Sequence, residues 1–326
     1  MKIVITDHGF PHLDHERAIL AEAGHTLEVS PGKSEAQLIA ATRDADALLV
    51  QFAPVTAAVI AALAHCRVIV RYGIGYDNVD LQAAGARGIP VCNVPDYCIP
   101  EVADHTMTLA LTLARRVPPT EAALRAGGWK IMPPTPFPAF RDVTFATAGF
   151  GRIAREVLRR AAAFGFKVAA FDPFVTEAAF AEAGVRRLSE DEVWSEAGVL
   201  SLHLPLSVET RHWVNAATLA RLPAGALVIN TARGGLIDTV ALAESLIRGH
   251  LGGAGLDVYE TEPLPSDHVI RDAPHTVLTS HTAWYSAASI PALQRKAAQA
   301  VARVLEGGEP TNVVNRNWLS HSPSTP

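Results

Sequence analysis

The sequence predicts an α/β protein built from two doubly wound, parallel-sheet domains, and three observations carry that prediction. Short apolar runs alternate with helical patterns over residues 1–97, and the alternation starts again at Val143. At 326 residues the chain exceeds the size at which one hydrophobic core usually stops growing. Residues 143–173, VTFATAGFGRIAREVLRRAAAFGFKVAAFDP, read as strand, glycine turn, helix, strand, acidic residue.

In that stretch Gly149, Gly151 and Ala154 form a G-x-G-x-x-A turn, and Asp172 follows Gly149 by 23 positions. This is the spacing of a dinucleotide fingerprint, which allows Ala at the third position. The glycines let the backbone turn tightly and approach a pyrophosphate, which then faces the first N–H groups of the helix. A carboxylate at Asp172 accepts hydrogen bonds from the adenosine ribose and repels a 2′-phosphate. Pro173 and Phe174 bring no cation to offset that repulsion, so NAD(H) is expected rather than NADP(H). Thr147 is less orderly, a polar residue in a strand that should be buried.

In chain order, strands are expected at 2–6, 26–30, 47–52, 67–71 and 90–94, with helices at 16–23, 34–42, 56–65 and 81–87 between them. Ser34 and Gln37 have the spacing of a capping box at the start of the second helix. Residues 101–116 form a longer helix with basic residues in its last turn, as its dipole favours. It is long enough to bridge two domains, and Pro118-Pro119 are expected to end it, with helix resuming at 121–126. Residues 127–139 are rich in Gly and Pro and read as loop. Strands then follow near 143–148, 167–171, 199–204, 226–231, 253–257 and 276–280. Helices are expected near 151–164, 177–183, 190–197, 216–221 and 239–249. A last helix spans 287–305 and stops at Gly307-Gly308, and the polar tail from Pro310 is expected to fray.

Composition excludes several classes. Apolar residues make up 49% of the chain, as in globular proteins. The net charge of −5 and the lack of a basic run argue against nucleic acid as a partner. Cys66, Cys92 and Cys98 form no C-x-x-C pair, so neither a disulfide framework nor a cysteine zinc site is expected, and a reducing compartment fits. Cys98 reads as a buried thiol at the domain junction. His8, His12 and His15 lack the acids or cysteines that would complete a metal site, so a solvated loop and no metal are expected. No apolar run approaches the roughly 18 residues of a membrane span. The N-terminus MKIVITDHGF shows no secretory leader, so a cytoplasmic location is expected.

Three further stretches end predicted strands with reactive side chains. NTARGGLID (230–238) places Arg233 where ligands bind in open α/β sheets, at the carboxyl edge, and its guanidinium can fork onto a carboxylate. GLDVYETEP (255–263) carries Asp257, Glu260 and Glu262, and TSHTAWY (279–285) carries His281. A carboxylate beside a histidine favours the protonated ring and makes it a usable acid near neutrality.

These motifs, together with RYGIGYDNVD (71–80), AGFGRIA (148–154), FDP (171–173), LHLPL (202–206) and SHTAW (280–284), resemble the D-2-hydroxyacid dehydrogenase family over nearly the whole chain. Within it, VCNVP (91–95), AFGFKVAAFDP (163–173), RDAP (271–274) and HTAWYSAASI (281–290) are most similar to the C-terminal-binding-protein branch and its bacterial relatives. The resemblance implies a Rossmann NAD-binding domain, residues 99–287, inserted into a flavodoxin-like substrate domain made of 1–98 and 288–326. It implies catalytic roles for Arg233, which would hold the substrate's carboxylate and 2-oxo group, His281, the general acid/base, and Glu262, its partner. Gly73, Ile74 and Gly75 would offer N–H groups to the substrate carboxylate near Arg71, and Trp284 would form an apolar wall or else simply pack. Gly149, Phe150, Gly151, Arg152, Ile153, Asp172, His203, Leu204, Pro205, Thr231, Ala232 and Arg233 would bind NAD, with Asp257 at the nicotinamide amide. The implied partners are a small 2-oxo or 2-hydroxy acid and a second copy of the chain, with no nucleic acid and no membrane. Ser280 stands where the family usually has Pro, and Ala146 where it often has Gly.

The implied activity is hydride transfer between NAD(H) and C2 of the acid, with reduction favoured at lower pH. One alternative is an NAD(H)-sensing corepressor or interaction protein of the C-terminal-binding-protein kind. Another is a formate-dehydrogenase-like enzyme, which an acid/base histidine paired with Glu262 disfavours.

Overall fold

The structure is a computed structural model that describes residues 1–30, 32, 34–131 and 138–315. The chain divides into two compact units, one of Met1–Tyr97 with the segment from Ser286, the other of Cys98–Tyr285. Both are α/β with a wholly parallel sheet.

In the first unit the strands are β1 (Lys2–Ile5), β2 (Thr26–Val29), β3 (Ala47–Val50), β4 (Val68–Arg71) and β5 (Val91–Cys92). Their order is β2-β1-β3-β4-β5. Central β3 is buried along its length, which is why ALLV is a continuous apolar run instead of an alternating one. The capping box of Ser34 and Gln37 forms as the spacing predicts. The last helix, Ser289–Leu305, packs here against the helix Asp14–Glu22 and against β3 and β4. Arg67 donates from its guanidinium to the carbonyls of Val304 and Leu305 at that helix's C-terminus, both at 3.0 Å, where the dipole favours a cation.

The second unit has β6 (Thr144–Ala148), β7 (Lys167–Phe171), β8 (Arg186–Arg187), β9 (Val199–Leu202), β10 (Leu227–Asn230), β11 (Gly253–Leu256) and β12 (Thr276–Leu278). The order is β12-β11-β10-β9-β6-β7-β8, so the winding reverses between β6 and β9. Ligands of doubly wound sheets bind beyond the carboxyl ends of the strands at such a switch point. Side chains alternate between the two faces. Phe145 and Ile229 join one core cluster, while Ala146 and Val228 join the other. Thr147, fully buried, satisfies its hydroxyl by donating to the Gly149 carbonyl at 2.8 Å, which explains a polar residue inside β6.

The helix after the first unit runs Ile99–Ala114 and belongs to the second unit, packed on the helix Arg152–Ala163 and on β10 and β11. Pro118-Pro119 do not end it. The chain turns at Arg116, whose φ is +50°, and the prolines sit in the first turn of the next helix, Val117–Arg125. Proline is tolerated there because the first N–H groups of a helix have no partner in any case. Of the expected 127–139 loop, residues 132–137 lie outside the described residues, as does the tail from 316. Among the described residues no helix is long and apolar enough to cross a membrane, and no group of three His, Cys, Asp or Glu side chains could hold a metal ion.

Candidate active site

Six of the strand ends that the sequence marks lie on the carboxyl edge of one sheet, that of the second unit. Gly149 follows β6, Asp172 follows β7, His203 follows β9, Thr231 to Arg233 follow β10, Asp257 follows β11 and His281 follows β12.

The glycine turn after β6 is shaped for a nucleotide. Gly149 has φ +98°, and a Cβ there would lie 2.6 Å from the His203 carbonyl oxygen, so only glycine fits. A Cβ on Gly151 would meet nothing within 4 Å, which is open space over the start of the helix Arg152–Ala163. No side chain caps that helix N-terminus, so the N–H groups of Arg152 and Ile153 face the space a pyrophosphate would take. The Phe150 side chain takes no part in this. It is buried against Phe180 with ring centroids 4.3 Å apart, and its N–H donates to Asp172 Oδ2 at 2.9 Å. Asp172 Oδ1 accepts from the Phe174 N–H at 3.0 Å, so the carboxylate is fixed at the end of β7 with further lone pairs for ribose hydroxyls. These residues fit a dinucleotide. His203 bonds Ser201 through Nε2 at 2.9 Å, and burial pushes its imidazole down to about 3, leaving it neutral beside the turn. Leu204 packs against the core, Pro205 is exposed, and Thr231 bonds the Thr106 hydroxyl at 2.8 Å.

The catalytic candidates meet on the neighbouring strands. His281 Nδ1 lies 2.7 Å from Glu262 Oε2, which leaves Nε2 as the ring nitrogen for a substrate. Glu262 Oε1 accepts the Tyr259 N–H at 3.0 Å. Burial pushes the Glu262 carboxyl up. The hydrogen bond and charge of His281, the Tyr259 N–H and the Arg233 charge outweigh it and hold the carboxyl below its ordinary 4.5. Arg233 is half-buried and donates to the Ala232 carbonyl at 2.7 Å. The buried Asn230 amide clasps the turn that presents it, donating to the Arg233 carbonyl at 2.8 Å and accepting from the Ala232 N–H at 3.0 Å.

Gly234 has a reason different from ligand approach. A Cβ there would lie 1.8 Å from the Tyr259 carbonyl carbon, so glycine is what lets the loop carrying Glu262 pass this close behind Arg233.

His281 is held in a left-handed conformation, φ +56°, which costs an L-residue about 1–2 kcal/mol. Asp257 is arranged around it. The Asp257 carbonyl accepts the His281 N–H at 2.7 Å. Its carboxylate accepts the N–H groups of Thr282 and Ala283, each at 2.9 Å, and the Thr279 hydroxyl at 2.5 Å. The Asp257 side chain is only 1% exposed, so its contacts make it an anchor of the histidine turn, where the resemblance implies a nicotinamide contact. His105 reaches the same Thr279 hydroxyl at 2.9 Å. Trp284 donates its indole N–H to the His281 carbonyl at 2.9 Å.

The first unit holds its own candidates at the end of β4. Gly73 has φ +138°, and a Cβ there would collide with the Arg71 guanidinium at 1.8 Å. Its N–H is already donated to the Arg71 carbonyl at 2.9 Å, so of the three expected N–H groups those of Ile74 and Gly75 are the ones available to an anion. Asn93 steadies the loop by donating to the Ile74 carbonyl at 2.7 Å.

Tyr259, Thr279 and Asn230 were not singled out from sequence. Asn230 and Tyr259 act on neighbours two or three residues along the chain and Thr279 on the Asp257 carboxylate, and their hint in the sequence is their place inside the three strand-end motifs.

Comparison with known proteins agrees with this geometry. Residues 107–283 match the model of the D-isomer specific 2-hydroxyacid dehydrogenase NAD binding domain. The chain is 39% identical over 265 residues to a D-3-phosphoglycerate dehydrogenase of Mycobacterium bovis, covering 80% of this chain and 50% of that one. The chain thus spans about half the length of the curated relatives it matches first. Among solved structures, D-lactate dehydrogenase from Aquifex aeolicus complexed with NAD and lactic acid aligns with TM-score 0.85 at 25% identity, covering 99% of this chain and 100% of that one. A glyoxylate reductase from Paecilomyes thermophila aligns with TM-score 0.87 at 28% identity, covering 96% and 98%. With its NAD-binding domain matched over more than half its length, the chain belongs to the D-2-hydroxyacid dehydrogenase family.

Proposed function

We propose that this protein is an NAD-dependent D-2-hydroxyacid dehydrogenase that reduces a small, unphosphorylated 2-oxo acid. The observation that carries the reading is the His281–Glu262 pair at 2.7 Å, with Arg233 close enough for its charge to act on the same carboxylate. NADH, when bound, supplies the hydride that adds to C2 of the acid. Negative charge then grows on the oxo oxygen, where Arg233 stabilises it. Protonated His281 delivers a proton from Nε2 to that oxygen, and Glu262 steadies the charged ring beforehand. In the oxidative direction neutral His281 takes the hydroxyl proton.

The first unit bears on the substrate class. After β1 the carboxylate of Asp7 is taken up by the N–H groups of Gln51, Phe52 and Ala53. After β3 the chain offers Phe52, 54% exposed, and no cation. Arg71, the last residue of β4, is the guanidinium at this edge. A phosphate dianion calls for several such donors, whereas an apolar or hydroxymethyl group does not. Glyoxylate, pyruvate and hydroxypyruvate are favoured over phosphohydroxypyruvate. The experiment is an NADH-oxidation panel of these four acids, and a kcat/KM highest for the phosphorylated acid would overturn this choice.

The rival reading, an NAD(H)-sensing interaction protein like the C-terminal-binding-protein branch, needs nucleotide binding but no acid/base pair. The assembled Arg233, Glu262 and His281 favour the enzyme. A homodimer through the second unit is supported by the helix Val117–Arg125, which buries none of its residues, and by exposed Val117, Leu124, Trp129 and Ile131. Light scattering tests it. The buried thiols of Cys66, Cys92 and Cys98 fit a reducing, cytoplasmic setting.

A further inference from the structure

We propose that Trp284 is a positioning residue for His281, acting through the backbone. The inference rests on His281 being the acid/base group. At φ +56° this histidine is in the left-handed region that residues other than glycine uncommonly occupy. Ser280, which precedes it, is exposed and places no ring in the chain to restrict it. The restraint comes from both sides of the residue. Its N–H is donated to the Asp257 carbonyl at 2.7 Å, and its carbonyl accepts the Trp284 indole N–H at 2.9 Å.

Asp257 holds the following residues as well, through the Thr282 and Ala283 N–H groups, so the turn is tied at its start and at its end. Trp284 is the tie that acts on His281 from outside this set. Its ring is steadied edge-on by Tyr285, with centroids 5.5 Å apart and planes at 75°. With the indole bond in place, the ring of His281 is delivered to Glu262 at a fixed distance. Without it the peptide after His281 keeps the Thr282 N–H bond to Asp257 but loses the restraint on its carbonyl side, and Nδ1 drifts from Glu262. An apolar wall for the substrate would need only the shape of the indole, whereas this role needs its N–H.

The two roles separate in Trp284→Phe, which keeps an aromatic face and removes the donor, and in replacement of Trp284 by benzothienylalanine, which keeps the full ring shape and removes only the N–H. If Trp284 positions His281, both variants bind NADH as the wild type does and lose about 10–100-fold in kcat. The loss is equal for glyoxylate, pyruvate and bulkier 2-oxo acids, with little change in KM. If kcat is kept and KM changes with substrate size, the proposal is wrong and Trp284 is a wall. Histidine-ring nitrogen NMR, with His281 identified by its loss in His281→Ala, gives a readout independent of turnover. A single Nδ1–H form in the wild type must become averaged in both variants, and an unchanged signal contradicts the proposal. Normal turnover by His281→Ala would instead overturn the acid/base reading itself.

Discussion

The imidazole of His281 meets the carboxylate of Glu262 at 2.7 Å, although the two residues sit on loops after different strands. The carboxyl of Glu262 is held below its ordinary 4.5 despite burial, so it is ionised throughout the neutral range and favours a charged ring on its partner. Glu262→Gln removes that charge but keeps a hydrogen-bonding group. The expected result is a fall of about 10–100-fold in kcat for reduction. The pair also contributes to stability. Because the carboxyl is depressed in the folded state, its contribution is complete above the ordinary carboxylate range and is lost as pH falls through the depressed value. Acid denaturation followed by circular dichroism should therefore be less steep in the Gln variant.

In the proposed reaction Arg233 would meet the developing oxyanion, and the Asn230 amide fixes its turn through two hydrogen bonds. Arg233→Ala is expected to lower kcat/KM by about 10²–10³-fold while NADH binding, followed by fluorescence, stays within a few-fold of wild type. Arg233→Lys should recover little of this, because a single ammonium cannot reproduce a forked contact.

Gly149 allows no side chain, with φ +98° and the His203 carbonyl oxygen 2.6 Å from where a Cβ would stand. Gly149→Ala should weaken NADH binding by at least about tenfold, equivalent to about 1.4 kcal/mol. Gly151→Ala has room in the free protein, so its penalty should appear in NADH affinity and not in thermal stability. Equal melting-temperature losses for the two would show that Gly151 serves the fold and not the nucleotide.

Asp172 holds its carboxylate between the N–H groups of Phe150 and Phe174. Its charge stands against a 2′-phosphate. NADH is expected to have the lower KM in the wild type, and Asp172→Ala should shift the NADPH-to-NADH ratio of kcat/KM upward by about 10–100-fold.

Much of this architecture is legible in the sequence. The alternation of apolar runs and helices marks both sheets because buried parallel strands are continuous in hydrophobicity. Arg233, Asp257 and His281 were identifiable because each ends such a run. What escaped the sequence is non-local or nearly unpatterned. Strand β8 is Arg186–Arg187, two exposed residues with no apolar signal, paired only because β7 lies alongside. Pro118-Pro119 look like a helix stop, yet the stop is the left-handed turn at Arg116. The need for glycine at 234 comes from Tyr259, 25 residues later, whose backbone fills the space. The positive φ of His281 and the network of Asp257 that holds it have no local signature at all.

NADH oxidation with glyoxylate, pyruvate and hydroxypyruvate in the wild type and in His281→Ala, with chiral analysis of the lactate formed from pyruvate, tests the acid/base role of His281. Turnover to the D-hydroxy acid is expected in the wild type, with a fall of about 10²–10⁴-fold in the variant and NADH binding retained. NADH binding without turnover of any 2-oxo acid, or undiminished turnover in His281→Ala, would contradict it.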